Sequence, residues 1–211
     1  SIYQLDWLGD RVYGYQSGIT TGLVVMDASG SGMPVETGFY PTESDFSVSG
    51  GQVNNLPLAL LITASGIDIV SSSNPAAPQI LGSILDEGYL DEVQVVGDLV
   101  YLSGEQGLRI YRRTAPGQLE YVGGLNQPGN LGLVQDGKAY LTERAIYDWY
   151  GRVSPSRFSV VDVSDPSHPQ SLDSLDLVSY ANDVVVYGAN AYLASGNRLE
   201  VVDISNPAQI T

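Results

Sequence analysis

The sequence predicts an all-β chain built from five repeats of one four-stranded antiparallel unit. Three observations carry that reading: a recurring heptad, a second landmark at a fixed distance ahead of it, and short runs of alternating apolar residues. The heptad is clearest as VVDISNP at Val201–Pro207 and VVDVSDP at Val160–Pro166. Weaker copies are IVSSSNP at Ile69–Pro75, VMDASGS at Val25–Ser31 and IYRRTAP at Ile110–Pro116. The starts at 25, 69, 110, 160 and 201 give intervals of 44, 41, 50 and 41 residues.

The second landmark precedes each heptad. It reads VVGDLVYLS at Val95–Ser103, LVQDGKAYLT at Leu133–Thr142 and VVYGANAYLA at Val185–Ala194, with WLGDRVYGY at Trp7–Tyr15 in the first unit. In the second unit the match is stretched to VSGGQ and then ALLIT. A period of this length belongs to solenoids or propellers. Val, Ile, Leu and Tyr alternate in short runs broken by Gly-Asp, Asp-Gly, Asn-Pro and Asp-Pro, the strand-and-turn signature. No ten-residue segment carries a 3.6-residue period. In the third unit the strands fall at Val93–Val96, Leu99–Ser103, Leu108–Tyr111 and Leu119–Gly123. Four strands per repeat make one blade of a β-propeller. The chain, residues 1–211, then reads as one propeller domain with units at about 1–45, 46–90, 91–130, 131–180 and 181–211.

The heptad has a physical role in this scheme. Its apolar pair ends the third strand. Asp203 and Ser205 can engage nearby backbone N–H groups, as Asx and Ser/Thr turns do. Asn206-Pro207 then turns the chain toward the fourth strand, because proline presets φ. Asp162 and Asp203 are therefore structural rather than catalytic.

The units resemble the LVIVD repeat, a propeller-type repeat of bacterial and archaeal proteins. The matching residues are AYL, GL or RL, VVD[IV]S[ND]P, and PQILGS at Pro78–Ser83. The fourth and fifth units match best, and the third departs where YRRT replaces the aspartate turn. The resemblance implies the fold, a surface or exported location and a role in interaction. It implies no reaction. The first unit begins in its innermost strand near Tyr3, and the fifth stops about three residues into its fourth. Five units could close a small ring. Alternatively, they form part of a larger propeller completed by further units or another chain.

Charge and composition exclude several classes. There are 24 acids against 9 bases, a net charge of −15, and Lys138 is the only lysine. That field repels nucleic-acid phosphates and anionic membranes. No apolar run approaches the roughly 20 residues of a spanning helix. Without cysteine, disulfides and thiolate metal sites are excluded. The single histidine, His168, lies in the turn DPSHP and reads as exposed and inert. GSG at Gly30–Gly32 has no helix after it, so it is a poor anion site. The start at Ser1, with no leader pattern, reads as a mature or excised chain.

Function should sit where the repeat breaks. Between the second and third strands of the fourth unit the loop swells to ERAIYDWYGRVSPS, Glu143–Ser156, about nine residues longer than its counterpart SGEQG. Its Arg144, Tyr147, Asp148, Trp149, Tyr150 and Arg152 are candidates to bind a protein or glycan. Tyr, Trp and Arg are the types enriched at binding hot spots. The competing expectation is that Trp149 folds down onto the blade and anchors the loop. Acids also gather at the starts of inner strands: Asp45, Asp91 with Glu92, and Asp183 beside Asn182. Such oxygens suit Ca²⁺, or a carboxylate pair in a carbohydrate-active enzyme or lectin. Tyr3-Gln4 and Leu131-Gly132 at the equivalent positions argue against both. A second insertion, Val53–Leu58, lengthens the first hairpin of the second unit. The favoured reading is a non-catalytic extracellular or cell-surface binding module, periplasmic location included.

Overall fold

The computed structural model describes residues 2–42, 48–53, 56–85, 88–127 and 129–211. They form the five predicted sheets in chain order. The first holds β1 (Ile2–Leu8), β2 (Arg11–Gln16), β3 (Gly22–Asp27) and β4 (Val35–Pro41). The second holds β5 (Val48–Val53), β6 (Leu56–Thr63), β7 (Gly66–Ser71) and β8 (Gln79–Leu85), and the third β9 (Leu90–Val96), β10 (Leu99–Gly104), β11 (Leu108–Ala115) and β12 (Gln118–Leu125). The fourth is β13 (Asn130–Gln135), β14 (Lys138–Glu143), β17 (Ser156–Asp162) and β18 (Gln170–Leu177). A small hairpin, β15 (Ile146–Asp148) with β16 (Gly151–Ser154), interrupts it. The fifth is three-stranded: β19 (Ala181–Tyr187), β20 (Asn190–Ser195) and β21 (Arg198–Asp203). These are the antiparallel blades of a propeller-type fold.

The chain divides into two compact units, Ser1–Glu105 with Ile110–Val122, and Gln106–Arg109 with Gly123–Thr211. In the first unit, Tyr13, Leu23 and Val25 of the first blade share a core with Ala59, Leu61 and Val70 of the second. Leu58, Leu60, Ile62, Ile67 and Ile69 on the second blade's other face pack with Leu90, Val93, Val100 and Leu102 of the third. In the second unit, Tyr140, Phe158 and Val160 of the fourth blade pack with Ala191, Leu193, Val202 and Ile204 of the fifth. Period-2 alternation thus gives the second blade two apolar faces, one for each neighbour.

The heptad turn is built the same way in the first, fourth and fifth blades. Asp27, Asp162 and Asp203 each accept, through Oδ1, the backbone N–H two residues on, at 2.8, 2.9 and 2.8 Å. The Ser164 hydroxyl, then its backbone N–H, holds the Asp162 carboxyl below its usual range, and Ser205 does the same to Asp203. At Asp27 the backbone N–H of Ser29 leads and its hydroxyl follows. The next residue then donates its N–H to the carbonyl of the preceding hairpin: Ala28 to Asp10, Ser72 to Pro57, Arg113 to Asp98, Val163 to Gly137 and Ile204 to Ala189. Five equivalent bonds fix the register of the repeat and place Arg112 in the aspartate slot of the third blade.

That third turn is held differently. Arg112 Nε lies 3.2 Å from the Asp98 carboxylate. Arg113 is buried and donates from Nη2 to the Gly97 carbonyl, while its Nε and Nη1 have no hydrogen-bond partner among the described residues. Burial pulls its pKa down against the opposing pull of Asp98. The equivalent Ser72 instead bonds the buried Tyr13 hydroxyl of the preceding blade, Oη to Oγ 2.7 Å.

The heptad has a second role that sequence alone hides. A Cβ on Gly38, in β4, would stand 1.8 Å from the Pro75 carbonyl oxygen of the second blade's turn. Gly82 and Gly123 meet the turn carbonyls of Gly117 and Pro166, both at 2.4 Å. Each outer strand thus keeps a glycine because the next blade's turn seats against its backbone. In the fourth blade, Asp173 occupies that register opposite Val160, and its Oδ2 accepts the N–H of Ile210 at 2.9 Å. At the Val53–Leu58 insertion, Gln52 and Val53 pair with Pro57 and Leu56, lengthening the ladder of the described residues.

Candidate functional site

The inserted segment of the fourth blade is an ordered hairpin. β15 and β16 pair through Ile146↔Ser154, Tyr147↔Arg152 and Asp148↔Gly151, leaving Trp149 and Tyr150 as a two-residue turn. Gly151 follows at φ 132°, a conformation that favours glycine. Serines tie the base. The buried Ser156 Oγ accepts the Ala145 N–H, and Ser154 Oγ accepts that of Ile146, both at 3.2 Å.

The tip projects into solvent. Trp149 and Tyr150 are 101% and 99% exposed. The expectation that Trp149 packs down onto the blade is overturned. The ladder runs up to Asp148↔Gly151, so the turn has no slack to bend back. At the base, the Arg144 guanidinium lies 4.4 Å from the centre of the Tyr180 ring, a cation–π contact that fixes a positive charge beside the hairpin. Of the six predicted binding residues, the structure therefore puts Arg144, Trp149 and Tyr150 on one projection. Tyr147, Asp148 and Arg152 take paired positions along its strands.

The acidic candidates lie elsewhere. Asp45 falls outside the described residues. Asp91 and Glu92 lie in β9, both with partners. Asp183 lies in β19 and caps its own strand, Oδ1 accepting the Val184 N–H at 2.8 Å. Among the described residues no three His, Cys, Asp or Glu side chains gather as a metal site. His168 is exposed, and its Nδ1 faces both Asp165 Oδ2 at 3.1 Å and Ser167 Oγ at 2.9 Å. Both partners meet one ring nitrogen, so this is no relay. A catalytic triad needs the acid and the nucleophile on opposite nitrogens.

One feature of the first unit had no sequence signal. A cleft of about 530 Å³ opens between the first two blades, lined by Arg11, Asp27, Thr37, Pro57 and Pro75 among others. Its polar lining is largely engaged already: Thr37 Oγ1 donates to the Val25 carbonyl at 3.0 Å, and Asp27 holds its turn.

The LVIVD repeat matches residues 154–176 and 179–211, the third and fourth strands of the fourth blade and all of the fifth. Residues 154–211 therefore carry the LVIVD repeat. No curated protein matches the chain. Among solved structures, it resembles a Lactobacillus plantarum protein at TM-score 0.75 and 12% identity, over 98% of this chain and 68% of that one. A Desulfotomaculum acetoxidans protein gives 0.73 and 13%, over 100% and 68%. The periplasmic gluconolactonase of Pseudomonas aeruginosa gives 0.66 and 10%, over 96% and 65%. At these identities the likeness establishes the fold alone. The chain spans about two thirds of each. Among its described residues no helix is long and apolar enough to cross a membrane.

Proposed function

We propose that this LVIVD-repeat chain is a non-catalytic interaction module of the exported or cell-surface kind, and that it holds a protein or glycan ligand through the β15–β16 hairpin. The supporting observation is the pair Trp149 and Tyr150, fully exposed on a two-residue turn and held up by a paired ladder. Large aromatics left in water on a short, braced projection lose little conformational freedom when a partner covers them. Arg144 adds a fixed cation at the base, suited to the carboxylate or hydroxyl groups of a ligand. The surrounding net charge of −15 disfavours acidic polymers and favours neutral or basic partners.

The test compares the chain with its Trp149→Ala/Tyr150→Ala variant against immobilised glycans and cell-envelope proteins. The expected result is at least a tenfold loss of binding with an unchanged melting temperature. Equal binding by both would remove the hairpin from the ligand site. Fractionating the producing cells tests the location. A calcium titration followed by melting temperature tests whether Asp91, Glu92 and Asp183 add a cation to the module, because any ligand of the folded state raises it.

A further inference from the structure

Outer strands complete the first four blades, and one of them differs from the rest. β4, β12 and β18 carry acids: Glu36, Glu120, and Asp173 with Asp176. Glu36, Glu120 and Asp176 are exposed. β8 reads QILGSIL and has no charged residue. It also leaves the most apolar surface in water. Ile80, Leu81 and Leu85 are 46%, 41% and 81% exposed. Among the described residues, β4 exposes one large apolar side chain, Val35, β12 exposes one, Tyr121, and β18 exposes none.

β8 stands at the edge of its sheet, beside β7. The outer side of an edge strand presents N–H and C=O groups to any strand that approaches, and acids, proline and bulges are what blunt it. β8 keeps only a bulge at Leu81, between the pairs Ile69↔Gly82 and Val70↔Ile80. β4 and β18 have a bulge at the same register in addition to their acids. Past the bulge, Gly82, Ser83, Ile84 and Leu85 run in unbroken register with Ile69, Asp68, Ile67 and Gly66. The third blade's turn seats against the start of this segment, since a Cβ on Gly82 would meet the Gly117 carbonyl oxygen.

Charge selects the occupant. At a net charge of −15, two copies of the chain repel over most approaches. A basic partner in that field gains most from an edge that carries acids, whereas a second copy gains most from the edge that lacks them. Pairing about a two-fold axis sets the end of one β8 beside the start of the other. The start, Ala76–Ile80, has no charge to oppose Asp86 and Glu87, which follow Leu85 in the sequence and lie outside the described residues. Parallel pairing would bring the acids of both copies together.

We propose that β8 is a self-association edge, which pairs antiparallel with β8 of a second copy through Gly82–Leu85. So short a contact makes a weak dimer, with a dissociation constant of roughly 0.01–1 mM. Sedimentation across that concentration range should show it. Salt should tighten it by screening the repulsion between copies. Amide exchange in Gly82–Leu85 should slow as the dimer fills. Leu81→Glu and Leu85→Glu give β8 the acid that its counterparts carry. Each should weaken the dimer by about tenfold or more, with a melting temperature within about 3 °C of the parent because both side chains are exposed. Tyr121→Glu, the same change on β12, should leave the dimer intact. A chain that stays monomeric throughout that range overturns the proposal and leaves the edge to a strand of another protein. So does a dimer that both β8 variants leave unchanged, one that Tyr121→Glu dissociates equally, or one that salt weakens.

Discussion

Two segments of the fourth blade lie about ten residues apart and follow opposite rules. In the heptad turn, Asp162 binds the Ser164 N–H and hydroxyl and faces the Lys138 ammonium at 3.3 Å, and the Pro166 carbonyl sits against Gly123. In the inserted hairpin serines tie the base, the two strands pair, and Trp149 and Tyr150 are exposed. The turn satisfies its polar groups internally and serves packing. The hairpin holds an exposed aromatic tip on a paired ladder. The proposed partner site lies in the second segment.

Substitutions can break this contrast in order of size. Gly123→Ala should cost most, about 3 kcal/mol by urea denaturation, because the new methyl meets backbone oxygen that cannot swing aside. Asp162→Ala removes the turn's acceptor and should cost about 1 kcal/mol. Acid acts on the same groups together. Asp27, Asp162, Asp165 and Asp203 all have depressed carboxyl pKa values in the folded chain. Their contribution is therefore present above the unfolded value of about 4 and is lost as pH falls below it. The variant carrying Asn at Asp27, Asp162 and Asp203 should show a shallower loss of melting temperature between about pH 5 and 2.5. Arg144→Ala removes an exposed cation–π contact and should cost about 0.5 kcal/mol. Trp149→Ala should change stability by less than about 0.5 kcal/mol, since its side chain touches little. A cost above 1 kcal/mol at Trp149 would mean that the tip is structural after all.

Much of the scaffold was legible because a repeat counts itself. The heptads located five third strands, and Asp203 and Ser205 form the turn their chemistry implied. Strand ends were less legible. β9 starts at Leu90, three residues before the alternation became readable. The glycine of PQILGS was visible, yet its cause was not. Gly82 is required by Gly117, a residue of the next blade, and such a contact leaves no local pattern. Asp173 carries no local sign of its bond to Ile210, 37 residues on. The hairpin was legible as an interruption rich in aromatics. The exposure of Trp149 was not, because composition cannot separate a side chain that folds back from one that a paired ladder holds up.

The Tyr13–Ser72 bond joins residues from two copies of one unit. At the corresponding positions farther along stand Leu60 and Arg113, then Tyr140 and Ile204. Duplication can lengthen such a gene in one step, but each new seam has then been tailored to its own pair of neighbours. A recombinant that moved the second unit behind the fourth would bring Ser72 to a hydroxyl at Tyr140 and leave Tyr13 facing Arg113. The order of the copies is thus heritable information in its own right, written in residues that a consensus of the repeat averages away.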